Sequence, residues 1–572
     1  MSLLDKFFKK KPWEKYYTKE ELQMKIPDIS MYELLLECSK RYEKETAIDY
    51  FGKTISYRHF IELIDKCARA FEVENITPGD VVTICMPNTP EALICVYALN
   101  KIGAIANMIH PLSGEEEIKH YLVSTNSKML VMIDVCYVKV RNIIGSTNVT
   151  KTIVVSAKDS MPFFMSVGYT FTQGYKVKKP KAGDSYIYWN EFLLRSYRKA
   201  KNPGVRRGRD DAAIILHSGG TTGVPKGILL SNGNFNALAL QARVVFKNIG
   251  PKDGVLVIMP NFHGFGLGVS MHAALGLGAK LILIPQFSAK TFDKLITKNK
   301  PSAIMGVPTL FEGLLGNSRM ENVDLSYIKY MISGGDTLSP SLTKRLNKFL
   351  KKHNANVKVL QGYGMTEALA AISLSYGKGY KPGSIGIPFP GNDFKIVVPG
   401  TREEVPLGET GEICVSGPTV MMGYLNNKKE TNEVLQIHKD KKIWLHTGDG
   451  GHMDEDGILY FDQRLKRMIV SSGYNLYPSH MEEIIEKHPA VLKCTVIGIP
   501  HKYKVQVAKA YIVLEEGYKD SWSVKKSIKE HCEKNMATYS LPYEYEFRKS
   551  LPTTLLGKIN YKKLEDENNE EE

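Results

Sequence analysis

Residues 214–230 read I-I-L-H-S-G-G-T-T-G-V-P-K-G-I-L-L, and this stretch restricts the fold more than any other in the chain. Two apolar runs, Ile214 to Leu216 and Ile228 to Leu230, have the character of short buried strands, and the segment between them can hardly be helix or strand. Gly219, Gly220, Gly223 and Gly227 permit close backbone approach and positive φ. Ser218, Thr221 and Thr222 add hydroxyls and Lys226 adds a long cation. Backbone N–H groups, hydroxyls and an ammonium on one turn make a cradle for polyphosphate. The G-x-x-x-x-G-K-[ST] pattern is not met, because Lys226 stands between Pro225 and Gly227 with no hydroxyl beside it for magnesium. A glycine-rich hairpin connection without a ligand is the other reading these residues allow.

The rest of the chain alternates helix and strand signals. Met31 to Tyr42 and Arg58 to Phe71 carry helical periodicity, and Ala47 to Tyr50 with Lys53 to Tyr57 reads as a hairpin. Val81 to Met86, Leu130 to Ile133 and Thr152 to Val155 read as buried strands, with Pro90 to Lys101 as a helix. Such alternation predicts parallel sheet with crossover helices. From Ala157 to Arg207 the period is weakest, and the lysine run at Lys176 to Lys181 reads as the solvated face of a surface excursion. At 572 residues the chain is long enough for three or four domain-sized units. The net charge of +15 favours anionic partners without choosing among nucleotide, CoA, membrane or nucleic acid. The eight cysteines are dispersed with no C-x-x-C spacing, which predicts reduced packing residues and argues against a zinc site. Met1 to Pro12 lacks the apolar core of a signal peptide, so the expected location is cytoplasmic.

Several later segments carry chemistry. In N-F-H-G-F-G-L-G, Asn261 to Gly268, polar Asn261 and His263 interrupt small and apolar residues, as in a cavity wall where glycines admit a ligand; a buried structural histidine is the alternative. Tyr330 to Asp336 is an apolar strand ending in the turn Gly334-Gly335-Asp336, where an open α/β sheet exposes backbone to ligands. In V-L-Q-G-Y-G-M-T-E, Val359 to Glu367, Gly362 and Gly364 flank Tyr363 so that its ring can meet a planar base. Thr366 and Glu367 supply hard oxygen ligands suited to Mg²⁺, or cap a helix. W-L-H-T-G-D places Asp449 after a strand and a turn, suited to accept from paired hydroxyls. Asp462 to Pro478 bears the strongest boundary signal, with a fresh strand at Met468 to Val470 and a helix from Pro478 or Ser479. The acidic tail, Glu565 to Glu572, is expected to be disordered.

Taken in order, S-G-G-T-T-G-V-P-K-G, the Asn261 and Tyr330 segments, V-L-Q-G-Y-G-M-T-E, W-L-H-T-G-D, D-Q-R-L-K-R and P-x-x-x-x-G-K at Pro552 to Lys558 resemble the AMP-forming adenylating superfamily. That superfamily comprises acyl- and aryl-CoA synthetases, peptide-synthetase adenylation domains and luciferases. The resemblance spans roughly Ile55 to Ile559. It implies an α/β fold, with a large N-terminal assembly of two α/β subdomains and a β subdomain, residues 1–463. A hinge at 464–467 and a small mobile C-terminal α/β domain, 468–572, follow. It implies that the loop from Ser218 to Gly223, with Lys226, holds the ATP phosphates, Thr221 among the metal contacts, and that Phe262 and His263 meet the acyl carboxylate. Gly335 and Asp336 would line adenine, although many members carry alanine at that position. Gly362, Tyr363 and Gly364 would form the base platform, Thr366 a phosphate contact, Glu367 the metal carboxylate, and Asp449 and Arg464 the ribose contacts. Lys466 would be the pivot, Ser472, Gly473 and Tyr474 would face CoA, and Lys558 would stabilise charge during adenylation.

The implied reaction joins ATP and a carboxylic acid into acyl-AMP and pyrophosphate, and CoA then displaces AMP. Gly264, Gly266, Gly268, Gly334 and Gly335 would allow an extended pocket for a medium- or long-chain fatty acid. Aryl or short-chain acids, and transfer to a carrier-protein thiol, are the alternatives. A basic surface suits peripheral contact with an anionic membrane at its inner face, and a homodimer is compatible with the sequence. The dispersed basic residues do not make the stripe that nucleic-acid binding asks for, so no nucleic acid is expected.

Overall fold

The structure is a computed structural model that describes residues 11–172, 174–180, 183, 185–199, 204–218, 225–467, 469–471, 474–476, 478–501, 504–536, 540–554 and 559–569. Two large sheets form the N-terminal region. The first runs in the order Gly423–Tyr424, Lys226–Ser231, Ala212–Ser218, Ile105–Ile109, Val81–Cys85, Met129–Ile133, Lys151–Val155 and Tyr186–Tyr188. Its six strands from Ala212–Ser218 to Tyr186–Tyr188 pair in parallel, while Lys226–Ser231 turns antiparallel at the edge. The second runs Ile387–Pro388, Ser373–Leu374, Val359–Tyr363, Tyr330–Ser333, Ala303–Gly306, Gly254–Val257, Lys280–Leu283, Thr46–Tyr50 and Lys53–Ser56. It too is parallel at its centre and antiparallel at both ends.

The apolar runs explain the parallel centres. Every residue of Met129–Ile133 is buried, as a strand covered by helices on both faces must be. The helix Pro90–Lys101 is buried along its whole length and starts as its sequence requires, with Pro90 in the first turn and the Thr89 hydroxyl accepting from Ala92 N–H. From this helix, Tyr97 reaches across to His272 of the second unit, with hydroxyl and Nδ1 2.9 Å apart. One continuous core therefore joins both sheets.

A third, antiparallel sheet of Asp393–Val397, Gly411–Ser416, Ile443–Met453, Leu435–Ile437 and Leu459–Arg464 follows. After Arg467 the chain builds a smaller unit with its own core around Ile485, Val496, Ile512 and Ile528. Its sheet comprises Ile469–Ser471, Tyr474–Leu476, Val491–His501, Val505–Leu514 and Glu544–Phe547, accompanied by the helices Pro478–Glu486, Trp522–Asn535 and Tyr561–Asn569. The architecture is a large N-terminal α/β region with two subdomains, followed by a smaller C-terminal α/β domain.

One expectation changes. The acidic tail is helical to Asn569: Leu564 is buried against Ile497 and Tyr511, and Arg548 donates to Glu567 at 2.6 Å. One leucine and one arginine partner outweigh the charge repulsion that composition alone predicts. The weakly periodic excursion contains the ten-residue helix Phe163–Thr172, in which no residue is buried. The eight cysteines are buried and free, as expected of packing residues. Among the described residues no helix is long and apolar enough to cross a membrane.

Candidate active site

The strands Ala212–Ser218 and Lys226–Ser231 pair antiparallel with Ser218 opposite Lys226, so the glycine segment starts and ends on one rung of a ladder. Gly219, Gly220, Thr221, Thr222 and Gly223 lie outside the described residues. Beside their base, His217 is packed against the ring of Tyr121, 4.2 Å between centroids, and its Nε2 lies 2.6 Å from Asn107 Oδ1. Burial pushes the His217 imidazole down to about 3, so it is neutral at pH 7. Sequence reasoning passed over His217 because a lone histidine next to a glycine run carries no local signal.

Lys226 leads to a second group. Its ammonium pairs with Glu430 and sits 5.1 Å from the centroid of the Tyr424 ring. The Tyr424 hydroxyl donates to Glu367 Oε1 at 3.0 Å. Three segments far apart in sequence thus bring Lys226 and the candidate metal carboxylate to one tyrosine, the lysine over its ring and the carboxylate at its hydroxyl. Burial and the neighbouring Glu367 raise the Tyr424 phenol, which remains a donor. Thr366 and Glu367 lie in a short 3-10 turn and are both half-buried. Immediately after it, Leu369 and Ala370 adopt φ of 50° and 69°, a left-handed pair of non-glycine residues held by Ala370 N–H donating to Met365 O at 2.8 Å. Leu-Ala carries no turn signal, so this strain was invisible in the sequence.

The Tyr363 hydroxyl donates to Asp449 Oδ2 at 2.7 Å, and Arg464 Nε stands 2.9 Å from Asp449 Oδ1. Asp449 and Arg464 face each other in the strand register, and Tyr363 arrives at the end of its own strand. The base-platform and ribose residues named from sequence are therefore one hydrogen-bonded cluster. Asp449 is the largest cause raising the Arg464 guanidinium, and burial with Asp449 raises the Tyr363 phenol. Gly364 has a firmer reason than room for a base: a Cβ there would lie 1.9 Å from the Ala370 carbonyl oxygen. Gly362 meets only ordinary contacts.

On the acid side, the Phe262 ring packs 4.3 Å from His110, and His263 Nδ1 accepts from Phe265 N–H at 3.3 Å. Asn261 is a buried clamp, donating to Pro87 O at 2.8 Å while its N–H donates to Asn88 Oδ1 at 2.9 Å. From Phe265 to Ala273 the chain forms a π-helix, a form that often marks functional sites. Its glycines do not face open space. A Cβ on Gly266 would lie 1.9 Å from Pro260 O, and one on Gly268 would meet Leu238 and Leu369 at 3.1 and 3.2 Å. Gly264 faces Ala370 at 3.1 Å and Gly334 faces the Phe265 ring at 3.5 Å. Gly266 is thus required by its packing against backbone. Gly335 has φ of 78°, the conformation its turn requires. Asp336 Oδ1 accepts from Thr337 N–H at 2.8 Å, and its charge contributes to raising the guanidinium of Arg467.

Between the large region and the small domain, Leu465–Arg467 form one 3-10 turn that includes Lys466. Arg467 Nη2 donates to Glu482 Oε1 at 2.6 Å and to Val496 O at 3.1 Å, and the guanidinium lies 3.9 Å from the Tyr561 ring centroid. Ser472 and Gly473 lie outside the described residues. Tyr474 begins the strand that pairs antiparallel with Ile469–Ser471. Lys558 also lies outside the described residues; on either side of it Thr553 and Ile559 form a bridge, and Asn560 N–H donates to Pro552 O at 2.8 Å.

Residues 35–425 match the AMP-binding enzyme family and residues 480–558 the AMP-binding enzyme C-terminal domain. The chain is 32% identical over 568 residues to a long-chain-fatty-acid–CoA ligase of Bacillus subtilis, covering 98% of each chain. Its fold is shared with ATP-bound MatB from Rhodopseudomonas palustris, with a TM-score of 0.81, 23% identity, and 94% and 99% of the two chains covered. The anthranilate CoA ligase AuaEII in complex with anthranoyl-AMP is equally similar, with a TM-score of 0.81, 23% identity, and 95% and 98% covered. With the ordered motifs, the matched C-terminal domain and a relative aligned from end to end, the chain belongs to the AMP-binding enzyme family, within the ATP-dependent, adenylate-forming acid:CoA ligases.

Proposed function

We propose that this chain joins a medium- or long-chain fatty acid to CoA. The observation that carries the reading is the convergence of Tyr363 and Glu367 from one segment with Asp449, Arg464 and Lys226 from three others, through direct contacts and the shared Tyr424. Asp449 would accept from the ribose hydroxyls with Arg464 holding its charge in place, and Lys226 would offset phosphate charge beside the glycine segment. Thr366 and Glu367 fit Mg²⁺, since Tyr424 orients one carboxylate oxygen and leaves the other unclaimed by that bond; when bound, the ion would neutralise phosphate charge.

A carboxylate oxygen attacks the α-phosphorus and pyrophosphate leaves. The CoA sulfur then attacks the acyl carbon, its proton goes to solvent, and AMP leaves. A free carboxylate would have to expel oxide, whereas AMP is a competent leaving group. Lys558 would stabilise charge in the first step. Arg464 roots the connecting turn in the large region and Arg467 roots it in the small domain, which supports a pivot at Leu465 and Lys466 between the two steps.

Beside the π-helix, Val269 and Ala273 border an apolar void with Ala242, Phe246, Met305 and Tyr330, but its volume of about 10 Å³ takes one water and not an acyl chain, so the choice of acid rests on the relatives. The B. subtilis relative supports the same substrate class. A second reading, an aryl or short-chain acid, is favoured on its aryl side by the likeness to a probable 4-coumarate–CoA ligase of Dictyostelium discoideum, 28% identical over 564 residues. A panel of acids with ATP, Mg²⁺ and CoA decides between them. AMP release greatest for saturated acids of medium or long chain is expected, and a clear preference for benzoate-like acids would sink the fatty-acid reading. Transfer only to a carrier protein would replace CoA as the acceptor.

A further inference from the structure

The helix Phe163–Thr172, F-F-M-S-V-G-Y-T-F-T, is inside-out. Its half-buried residues are Ser166, Tyr169 and Thr170, at the i, i+3, i+4 spacing of one face. The other face presents Phe164, Val167 and Phe171, and Phe163 at the helix start is exposed as well, the three phenylalanines 75%, 86% and 77% exposed in chain order. A water-facing helix on an ordinary core has the reverse arrangement.

The inward hydroxyls and the flanks are tied down. Lys158 Nζ donates to Thr170 Oγ1 at 3.4 Å, and Ser160 Oγ donates to the buried carboxylate of Glu91. After the helix, Lys179 pairs at 3.4 Å with Asp134, which also accepts from Ser156 Oγ at 2.8 Å. The excursion is thus held to the first sheet by polar contacts, and the apolar residues are left outward. Directly after the helix, Tyr175, Lys176, Lys178 and Lys179 are exposed.

We propose that this helix docks the enzyme on a membrane surface rich in anionic lipid, lying along the interface. Ten residues span about 15 Å, half of what crosses a bilayer, so the helix lies in the surface plane. Outward phenylalanines enter the boundary between headgroups and acyl chains, and the lysines that follow meet anionic headgroups; that pairing of an apolar face with basic residues is what such a surface recognises. The docking is independent of which acid the active site takes.

Flotation of the full-length protein with vesicles tests it directly. Vesicles of phosphatidylcholine with phosphatidylglycerol should carry the protein at low salt, and those of phosphatidylcholine alone should carry much less. Phe164→Glu combined with Phe171→Glu should reduce vesicle binding by about ten-fold or more. The melting temperature should be unchanged, since both rings are outside the core. Lys176→Ala with Lys178→Ala should weaken binding and flatten its salt dependence. Phe164→Trp should show blue-shifted fluorescence only when vesicles are added. Failure of the wild-type chain to float, equal flotation of the double glutamate variant, or no preference for the anionic lipid would each overturn the proposal. So would size-exclusion data in which the glutamates dissolve a dimer without affecting vesicle binding, because the face would then be covered by a second copy.

Discussion

Arg464 and Arg467 differ by one turn of chain and serve opposite halves of the molecule. Arg464 holds Asp449 at a surface where a ligand is to bind, and its side chain remains 53% exposed. Arg467, 16% exposed, is enclosed by Glu482, the Val496 carbonyl and the Tyr561 ring. The same residue type therefore acts as a replaceable partner at a site and as a structural bolt in a small core. What separates them is the partner: Asp449 already has the Tyr363 hydroxyl, while Glu482 Oε1 gathers Arg467, Val496 N–H and Thr495 Oγ1 around one buried point.

The largest effect expected from this contrast is on Arg467→Ala. Leaving Glu482 buried without its cation should cost the small domain roughly 3–5 kcal/mol. Proteolysis or hydrogen exchange of the helix Pro478–Glu486 should report the loss while the large region stays protected; equal loosening of both would show that the two units do not unfold separately. Lys558→Ala comes next, with adenylate formation falling by about 10²-fold, the scale of a lost transition-state donor, and thioester formation from supplied acyl-AMP largely retained. Single-turnover rates of the two steps measure it, and matched losses would remove the step-specific role.

A third prediction uses pH. Burial raises the Glu486 carboxyl to about 7, against an ordinary 4.5 when unfolded. The folded domain therefore keeps a proton that the unfolded chain loses, so this contribution is complete below pH 4.5 and declines as pH rises through about 7. Burial pushes His217 and His272 down to about 3, so their contribution is complete above 6.5 and declines as pH falls toward 3. The signs are opposite because one group is buried uncharged by holding a proton and the others by lacking one. Glu91 also rises to about 7, which gives the large region an alkaline component of its own. Glu486→Gln should hence stabilise the small domain at pH 8 by roughly 2 kcal/mol and leave it little changed at pH 4, as read from pH-dependent denaturant melts. An equal gain at both pH values would exclude the proton-linked origin. The smallest effect is that of Arg464→Ala, with a KM for ATP raised by about ten-fold, near 1.4 kcal/mol, and almost no change in melting temperature. A loss of stability comparable with that of Arg467→Ala would erase the distinction between the two arginines.

Much of this was legible in the chain itself. The strands at Ile214–Leu216, Val81–Cys85 and Met129–Ile133 and the helix Pro90–Lys101 follow from apolar runs, a proline and a capping threonine within a few residues of one another. The order of the motifs likewise identifies the family, because each is a local string. What joins those strings is long-range: Tyr363 meets Asp449 86 positions away, and Tyr424 meets Glu367 57 positions away. No local pattern encodes such meetings, since they depend on how strands from different sheets end beside one another. The same reason hid the packing role of Gly266 and Gly364, whose glycines answer to carbonyls of Pro260 and Ala370, and the left-handed pair Leu369-Ala370. It also hid the helix Tyr561–Asn569, which buried Leu564 and the Arg548–Glu567 pair hold in place, and the outward phenylalanines of Phe163–Thr172. Periodicity tells which residues share a face, but only the packed neighbours decide which face is turned to the core.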